Sequence, residues 1–410
     1  TPGAVLGPSE VTEAMTWPGI IGLGEMMNYP GVITGDDKVY SEMAAARSAR
    51  KVIGGHYPSP DLGKGFHAYL AGGPQDDHEG TTCEGAIARA RQGMKVMMRY
   101  GSSWHDVVEQ VKAVTKHGLS SRGFLLCTDD SHSATLFTEG HMNRVIRHAI
   151  NEGVDPIVAI QMATINTAEH FGVSNDMGMI APGRFADIVL VKDLHDFKAE
   201  RVIARGIEVV NQGEWLVDLP KISYPDWATK SVHLARSMTA ADFALKTTLE
   251  GKVIANVIGI IENQAPTKHL RLEMKAVDGL VHQDLTRDIA KIALVERHHD
   301  SGRVQIGLVS GFGFNIQCAV ATTVAHDSHQ MIIVGTDDAD MATAANELAK
   351  CGGGQIVISG GKILGLVDLP VGGLMSNEPV KQVAEKAASV LEGFKKCGCK
   401  LNNPNMQLSL

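Results

Sequence analysis

The stretch Ile20-Ile21-Gly22-Leu23-Gly24-Glu25-Met26-Met27-Asn28 is an apolar run that passes through glycine and then presents a carboxylate. A short buried strand reads this way when its last side chain emerges at the mouth of a barrel. Taken alone, a solvated Glu after a strand is the commoner reading. Downstream, the same arrangement recurs with His, His and Asp in place of Glu.

Residues 1 to about 165 alternate short apolar runs with helical patterns. An Ala-rich helix is expected from Val39 to Arg50, then a short strand to Gly55, with His56 directly after it. Gly65 to Ala71 reads as a short helix, and Gly72-Gly73-Pro74 breaks the chain before Asp76-Asp77-His78-Glu79. Cys83 to Gln92 is helical, with Thr81 or Thr82 as its cap. Met94 to Met98 is an apolar strand. Ser103-Trp104-His105-Asp106 resembles a capping box that opens a helix to about Lys116. Gly123-Phe124-Leu125-Leu126-Cys127 is a buried strand, and Thr128-Asp129-Asp130 sits at its end. Helices are expected over roughly 138–151 and 156–171, the second starting at Asp155-Pro156.

Strand–helix alternation implies parallel strands with crossover helices, and in a (β/α)8 barrel the chemistry collects where the strands end. Glu25, His56, His78 and Asp129 stand at four such ends, separated by 31, 22 and 51 residues. The first gap is about one strand–helix unit, the second a shortened one, and the third spans two.

The chain is not a disordered one, because 44% of its residues are hydrophobic and 20% charged. A net charge of -8 and a pI of about 6.1 argue against a nucleic-acid groove or an anionic membrane surface. No apolar run of about 18 residues and no signal peptide occur. The six scattered cysteines form no CxxC pair, which fits reduced thiols in the cytoplasm. The expected domain layout is a barrel part at 1–171, a small β module at 172–225, a linker at 226–250 and a separate α+β domain at 251–410.

Two histidines and two carboxylates at strand ends make a ligand set for divalent metal. A carboxylate such as Glu25 can bridge two ions, and neutral imidazoles from His56 and His78 suit Zn, Fe, Mn or Co. Asp129 can bind metal and accept a proton from a water that the metal acidifies from a pKa of about 15.7 toward about 7. Each residue has a plainer alternative. A single buried His is usually a hydrogen-bonded core residue, Asp129-Asp130 could cap the following helix, and Glu79 could be a solvated acid. Four in order, each at a strand end, weigh against coincidence. The H-x-E and P-C-x-x-C signatures of cytidine-type zinc deaminases are absent.

With these residues in place, the chain resembles the amidohydrolase superfamily and, within it, the adenine deaminases. The resemblance rests on Gly22-Leu23-Gly24-Glu25-Met26-Met27-Asn28-Tyr29-Pro30-Gly31-Val32, Gly55-His56, Asp77-His78-Glu79 and Cys127-Thr128-Asp129-Asp130-Ser131-His132. Asn166-Thr167-Ala168-Glu169 through Ala186-Asp187-Ile188-Val189 is similar to that superfamily's return into a second, β-rich domain. Val324-Ala325-His326-Asp327-Ser328-His329-Gln330 resembles a C-terminal loop peculiar to adenine deaminases.

The resemblance implies a TIM-like (β/α)8 amidohydrolase barrel, of which this chain holds strands 4–8, with a small β-rich domain and a C-terminal α+β domain. It implies a binuclear divalent metal site, Mn or Fe favoured and Zn a further candidate. Glu25 would bridge, His56 and His78 would bind the second metal, and Asp129 would bind the first and shuttle the proton. Glu79 would hydrogen-bond the purine and protonate a ring nitrogen. Water attack at C6 of adenine would give hypoxanthine and ammonia. His326, Asp327 and His329 would either line the adenine pocket or bind an extra metal, or form an ordinary polar turn. The superfamily's His-x-His ligands do not occur in this chain. An N-terminal barrel segment of more than about a hundred residues is therefore expected, in cis or as a separate chain. The small molecule adenine is the expected partner, within a homo-oligomer. The alternatives are another amidohydrolase acting on a cyclic amide or aminated base, and a non-catalytic remnant.

Overall fold

The computed structural model describes residues 3–220, 222–262 and 267–409. They form two compact units, one holding Leu6–Pro220 and the other holding the first few residues together with those after Pro220.

In the first unit five parallel strands follow one another. They are β1 (Gly22–Met26), β2 (Val52–Gly55), β3 (Asp76–Asp77), β4 (Lys95–Arg99) and β5 (Phe124–Cys127). β1 pairs with β2, and β3 with β4 and β4 with β5. The Gln75 N–H donates to Ile53 O at 2.8 Å and so ties β2 to the start of β3. Helices Asp37–Ser48, Lys64–Gly72 and Cys83–Arg91 fill three of the connections. Thr82 caps the last of these by accepting the Gly85 N–H at 3.0 Å, and Asp155 caps helix Pro156–Ala163 through the Ile157 and Val158 N–H groups.

Successive strand side chains point to opposite faces. On β4, Val96 and Met98 are fully buried in one apolar cluster with Phe124 and Leu126 of β5. Lys95, Met97 and Arg99 therefore share the other face. Burying each of those four apolar side chains stabilises the unit by about 1.5–3 kcal/mol. After the strands comes an antiparallel meander of β6 (Ile188–Val191), β7 (Ala199–Ala204), β8 (Ile207–Asn211) and β9 (Glu214–Trp215). It belongs to the same compact unit as the parallel strands.

The second unit is built on one ten-stranded sheet. Its strands are β10 (Leu245–Lys246), β11 (Gly251–Gly259), β12 (Lys268–Val277), β13 (Leu280–Val281), β14 (Ile289–Val295), β15 (Val304–Ser310), β16 (Ala319–Thr322), β17 (Met331–Gly335), β18 (Gly354–Ser359) and β19 (Lys362–Asp368). Their order is β10-β13-β12-β11-β15-β14-β17-β16-β18-β19. Alternation again divides the residues. Ala321, Ile333, Ile356 and Ile358 pack with Met341, Ala345 and Leu348 of helix Asp338–Cys351, while Val320, Val334 and Val357 pack with Val390 and Phe394 of helix Val380–Lys396. The two helices thus cover opposite faces of the sheet.

Two expectations are corrected here. The stretch 226–250 is not a linker, because Met238 and Phe243 are buried in the second unit's core and β10 joins its sheet. The segment opened by Ser103 is not one capped helix to Lys116. It forms two short helices, Val107–Gln110 and Lys112–Thr115, and Asp106, at the N-cap position of the first, makes no side-chain cap bond. The Asp106 carboxylate is bonded elsewhere, to Arg99.

Candidate active site

Glu25 is the fourth residue of β1, and His56 follows β2 directly. His78 and Glu79 follow β3, Arg99 ends β4, and Asp129 lies two residues beyond β5. The strands run parallel, so these side chains gather at one end of them. Asp129 sits in the left-handed region, φ 57°, where a non-glycine residue is strained.

The donor atoms converge. His78 Nε2 lies 2.9 Å from Glu25 Oε2, His56 Nδ1 lies 3.6 Å from the same oxygen, and the two ring nitrogens are 3.4 Å apart. An ion bound at about 2.0–2.2 Å separates its ligand atoms by roughly 3.0–3.5 Å. The triangle formed by Glu25, His56 and His78 matches that spacing, and its two nitrogens and one oxygen suit a divalent transition metal. A second group, His78, Glu79 and Asp129, also brings its ligand atoms within 4.8 Å of one another. Glu79 Oε1 reaches toward both rings, at 3.6 Å from His78 Nε2 and 3.8 Å from His56 Nδ1.

The electrostatics follow from this crowding. Burial pushes the Glu25 carboxyl up, but hydrogen bonds from His56 and His78 outweigh it and hold the group well below the usual carboxylate range. Burial pushes both imidazoles down, yet the bonds to Glu25 and the charges of Glu25 and Glu79 raise them. Burial raises Glu79 despite the neighbouring Arg99, His56 and His78 charges.

Around the ligands stands a buried frame that the sequence reading passed over. Asp76 Oδ1 accepts the Gly55 N–H at 3.0 Å, Tyr69 Oη accepts the His56 N–H at 2.7 Å, and Asp77 Oδ1 accepts the Tyr57 N–H at 2.6 Å. Three consecutive backbone donors around His56 are thereby fixed. The Tyr69 hydroxyl also donates to Met26 O at 3.1 Å, next to Glu25. Arg89 Nε donates to Asp77 Oδ2 at 2.5 Å, and His170 Nε2 pairs with Asp76 Oδ2 at 2.6 Å. Arg99 is the remaining omission. Its Nη1 donates to Glu79 Oε1 and, at 2.8 Å, to Asp129 Oδ2, while its Nε donates to Asp106 Oδ2 at 2.9 Å. The signal was present, since Arg99 is a charge at the end of an apolar strand, as Glu25 is.

His326, Asp327 and His329 belong to the other compact unit, on the turn between β16 and β17. His326 and Asp327 pair with each other and are exposed. His329 Nδ1 bonds Val324 O at 2.5 Å.

Comparison with known proteins fixes the family. Residues 12–209 match the amidohydrolase family and residues 264–410 match the adenine deaminase C-terminal domain. An adenine deaminase of Rhizobium meliloti is 54% identical over 408 residues, an alignment covering 100% of this chain and 69% of that protein. The chain belongs to the adenine deaminase family. Other adenine deaminases match at the same extent. That of Ruegeria pomeroyi is 55% identical over 415 residues, and that of Moorella thermoacetica 47% over 409, each alignment covering 100% of this chain and 68% of the relative. Among solved structures, a beta-aspartyl dipeptidase of Fervidobacterium islandicum is similar, with a TM-score of 0.41 and 16% identity over 52% of this chain and 62% of that one.

Proposed function

We propose that the chain catalyses the hydrolytic deamination of adenine, in which water replaces the amine at C6 to give hypoxanthine and ammonia. The observation that carries this reading is the convergence of Glu25, His56 and His78 on one point, in a member of the adenine deaminase family. Those three residues would hold a divalent metal. When bound, such an ion acidifies a water molecule to near neutrality and so supplies the nucleophile.

The chain's own groups do the rest. Asp129 takes the proton from the attacking water and delivers it to the departing amine, which must leave as ammonia and not as an amide ion. Glu79, beside His78, meets the purine ring and protonates a ring nitrogen, so that negative charge does not build up on the base, and it recovers a proton from the C6 hydroxyl as the carbonyl of hypoxanthine forms. Two adjoining donor groups, Glu25 with His56 and His78, and His78 with Glu79 and Asp129, support a binuclear reading in which Glu25, His56, His78 and Asp129 would hold a pair of divalent ions. Mn or Fe is favoured over Zn. The five parallel strands correspond to strands 4–8 of a (β/α)8 barrel.

Ammonia and hypoxanthine measured together on purified protein test the reading. Equal yields of both from adenine are expected. Ammonia from another aminated base, with none from adenine, would overturn the assignment.

A further inference from the structure

We infer that Arg99 is a positioning residue that fixes the carboxylates of Glu79 and Asp129 for proton transfer. The inference rests on the function proposed above, since it concerns the groups that handle protons there.

Three observations carry it. First, Arg99 ends β4 with its side chain 4% exposed, on the face opposite Val96 and Met98. It is therefore built into the strand and not draped over the surface. Second, one nitrogen, Nη1, donates to both Glu79 and Asp129. It takes a single oxygen from each carboxylate, so the second oxygen of each stays available. The ligand oxygens of the two carboxyl groups lie within 4.8 Å of one another, and a shared donor holds them at a set separation. Third, the guanidinium is itself anchored. Nε donates to Asp106 Oδ2 at 2.9 Å, and Cζ lies 5.4 Å from the centre of the Trp104 ring. The planar fork converts that anchor into a direction for Nη1, which a lysine ammonium cannot do.

A purely structural ion pair would need only Asp106. The bond that reaches past it to Glu79 and Asp129 distinguishes a positioning role. Asp129 gives a further reason. Its backbone is strained at φ 57°, and the Arg99 bond holds its carboxylate in place.

The test uses the holoenzyme with adenine, reading kcat, KM and metal content together. Arg99→Ala should lose about a hundredfold or more in kcat, with KM changed by less than about threefold and metal content as in wild type. Added guanidinium should restore kcat about tenfold, saturably, while ammonium at the same ionic strength should not. Arg99→Lys should stay close to the alanine variant. Asp106→Ala removes the acceptor of the Nε–H, leaves the cation but frees it, and should lose kcat about three- to tenfold. Wild-type kcat in Arg99→Ala overturns the inference, as does a loss that tracks metal loss and resists guanidinium. If Arg99→Ala does not fold, a wild-type kcat in Asp106→Ala overturns it. Wild-type holoenzyme that releases no ammonia from adenine contradicts the proposed function instead, which separates the two failures.

Discussion

At the scale of single residues, the site is legible wherever a polar side chain interrupts an apolar run at a strand end. Glu25, His56, His78 and Asp129 all carry that mark. Arg99 carries it too, but Arg is not a metal ligand, and a search for ligands passes over it. Asp76, Asp77 and Tyr69 carry no such mark. Their role lies in bonds to backbone groups about 20 or more residues away in two cases and 13 in the third, and no local pattern encodes those distances. The Asp106 reading failed for a related reason. A carboxylate three residues after Ser103 suits a capping box, yet the buried Arg99 cation offered the stronger partner. Asp129→Asn tests the proton-transfer role directly. The amide keeps the size and the left-handed backbone that Asn tolerates, but cannot take up a proton. Turnover of adenine should fall by about a hundredfold or more with most of the metal retained. Wild-type rates would refute the role.

At the scale of elements, the parallel strands and their helices announced themselves through apolar runs and caps. In the second unit β10, β13, β16, β18 and β19 have no counterpart among the elements expected from sequence. The hairpin β18–β19 turns on Gly360-Gly361, both with positive φ, between two apolar runs, which is a recognisable hairpin signal. β16 is four residues long and fully buried, too short to show a period. Met238 and Phe243 reach the core from a stretch whose apolar residues follow neither a helical nor a strand period, so sequence alone reads it as connecting chain. Between elements, the decisive join is the Tyr69 hydroxyl, which ties the end of β1 to the residue after β2. Tyr69→Phe removes that join and leaves a buried N–H and a buried carbonyl without it. A cost of about 1–3 kcal/mol in stability is expected. Metal affinity should fall about tenfold, measured by competition with a chelator. Unchanged affinity with the stability loss alone would make Tyr69 a packing residue only.

At the scale of the whole molecule, charge and composition set the class of chemistry, and no described helix is long and apolar enough to cross a membrane. The fold of the second unit adds an acid-sensitive joint. Burial pushes the Glu296 carboxyl up, but bonds from Ser301, His298 and His299 outweigh it and hold its pKa at about 2, below its ordinary 4.5. A depressed carboxylate contributes stability above the ordinary value and loses it as pH falls toward the folded value. Thermal unfolding followed from pH 5 to pH 2 should therefore decline less steeply in Glu296→Gln than in wild type. Identical slopes would show that Glu296 does not contribute. The central claim is that Glu25, His56 and His78 hold a metal for adenine deamination. Anomalous diffraction at the manganese edge from crystals of the manganese-loaded protein tests it most directly. A peak is expected about 2.0–2.3 Å from Glu25 Oε2, His56 Nδ1 and His78 Nε2. A fully loaded, active protein with no peak among those three atoms would contradict it.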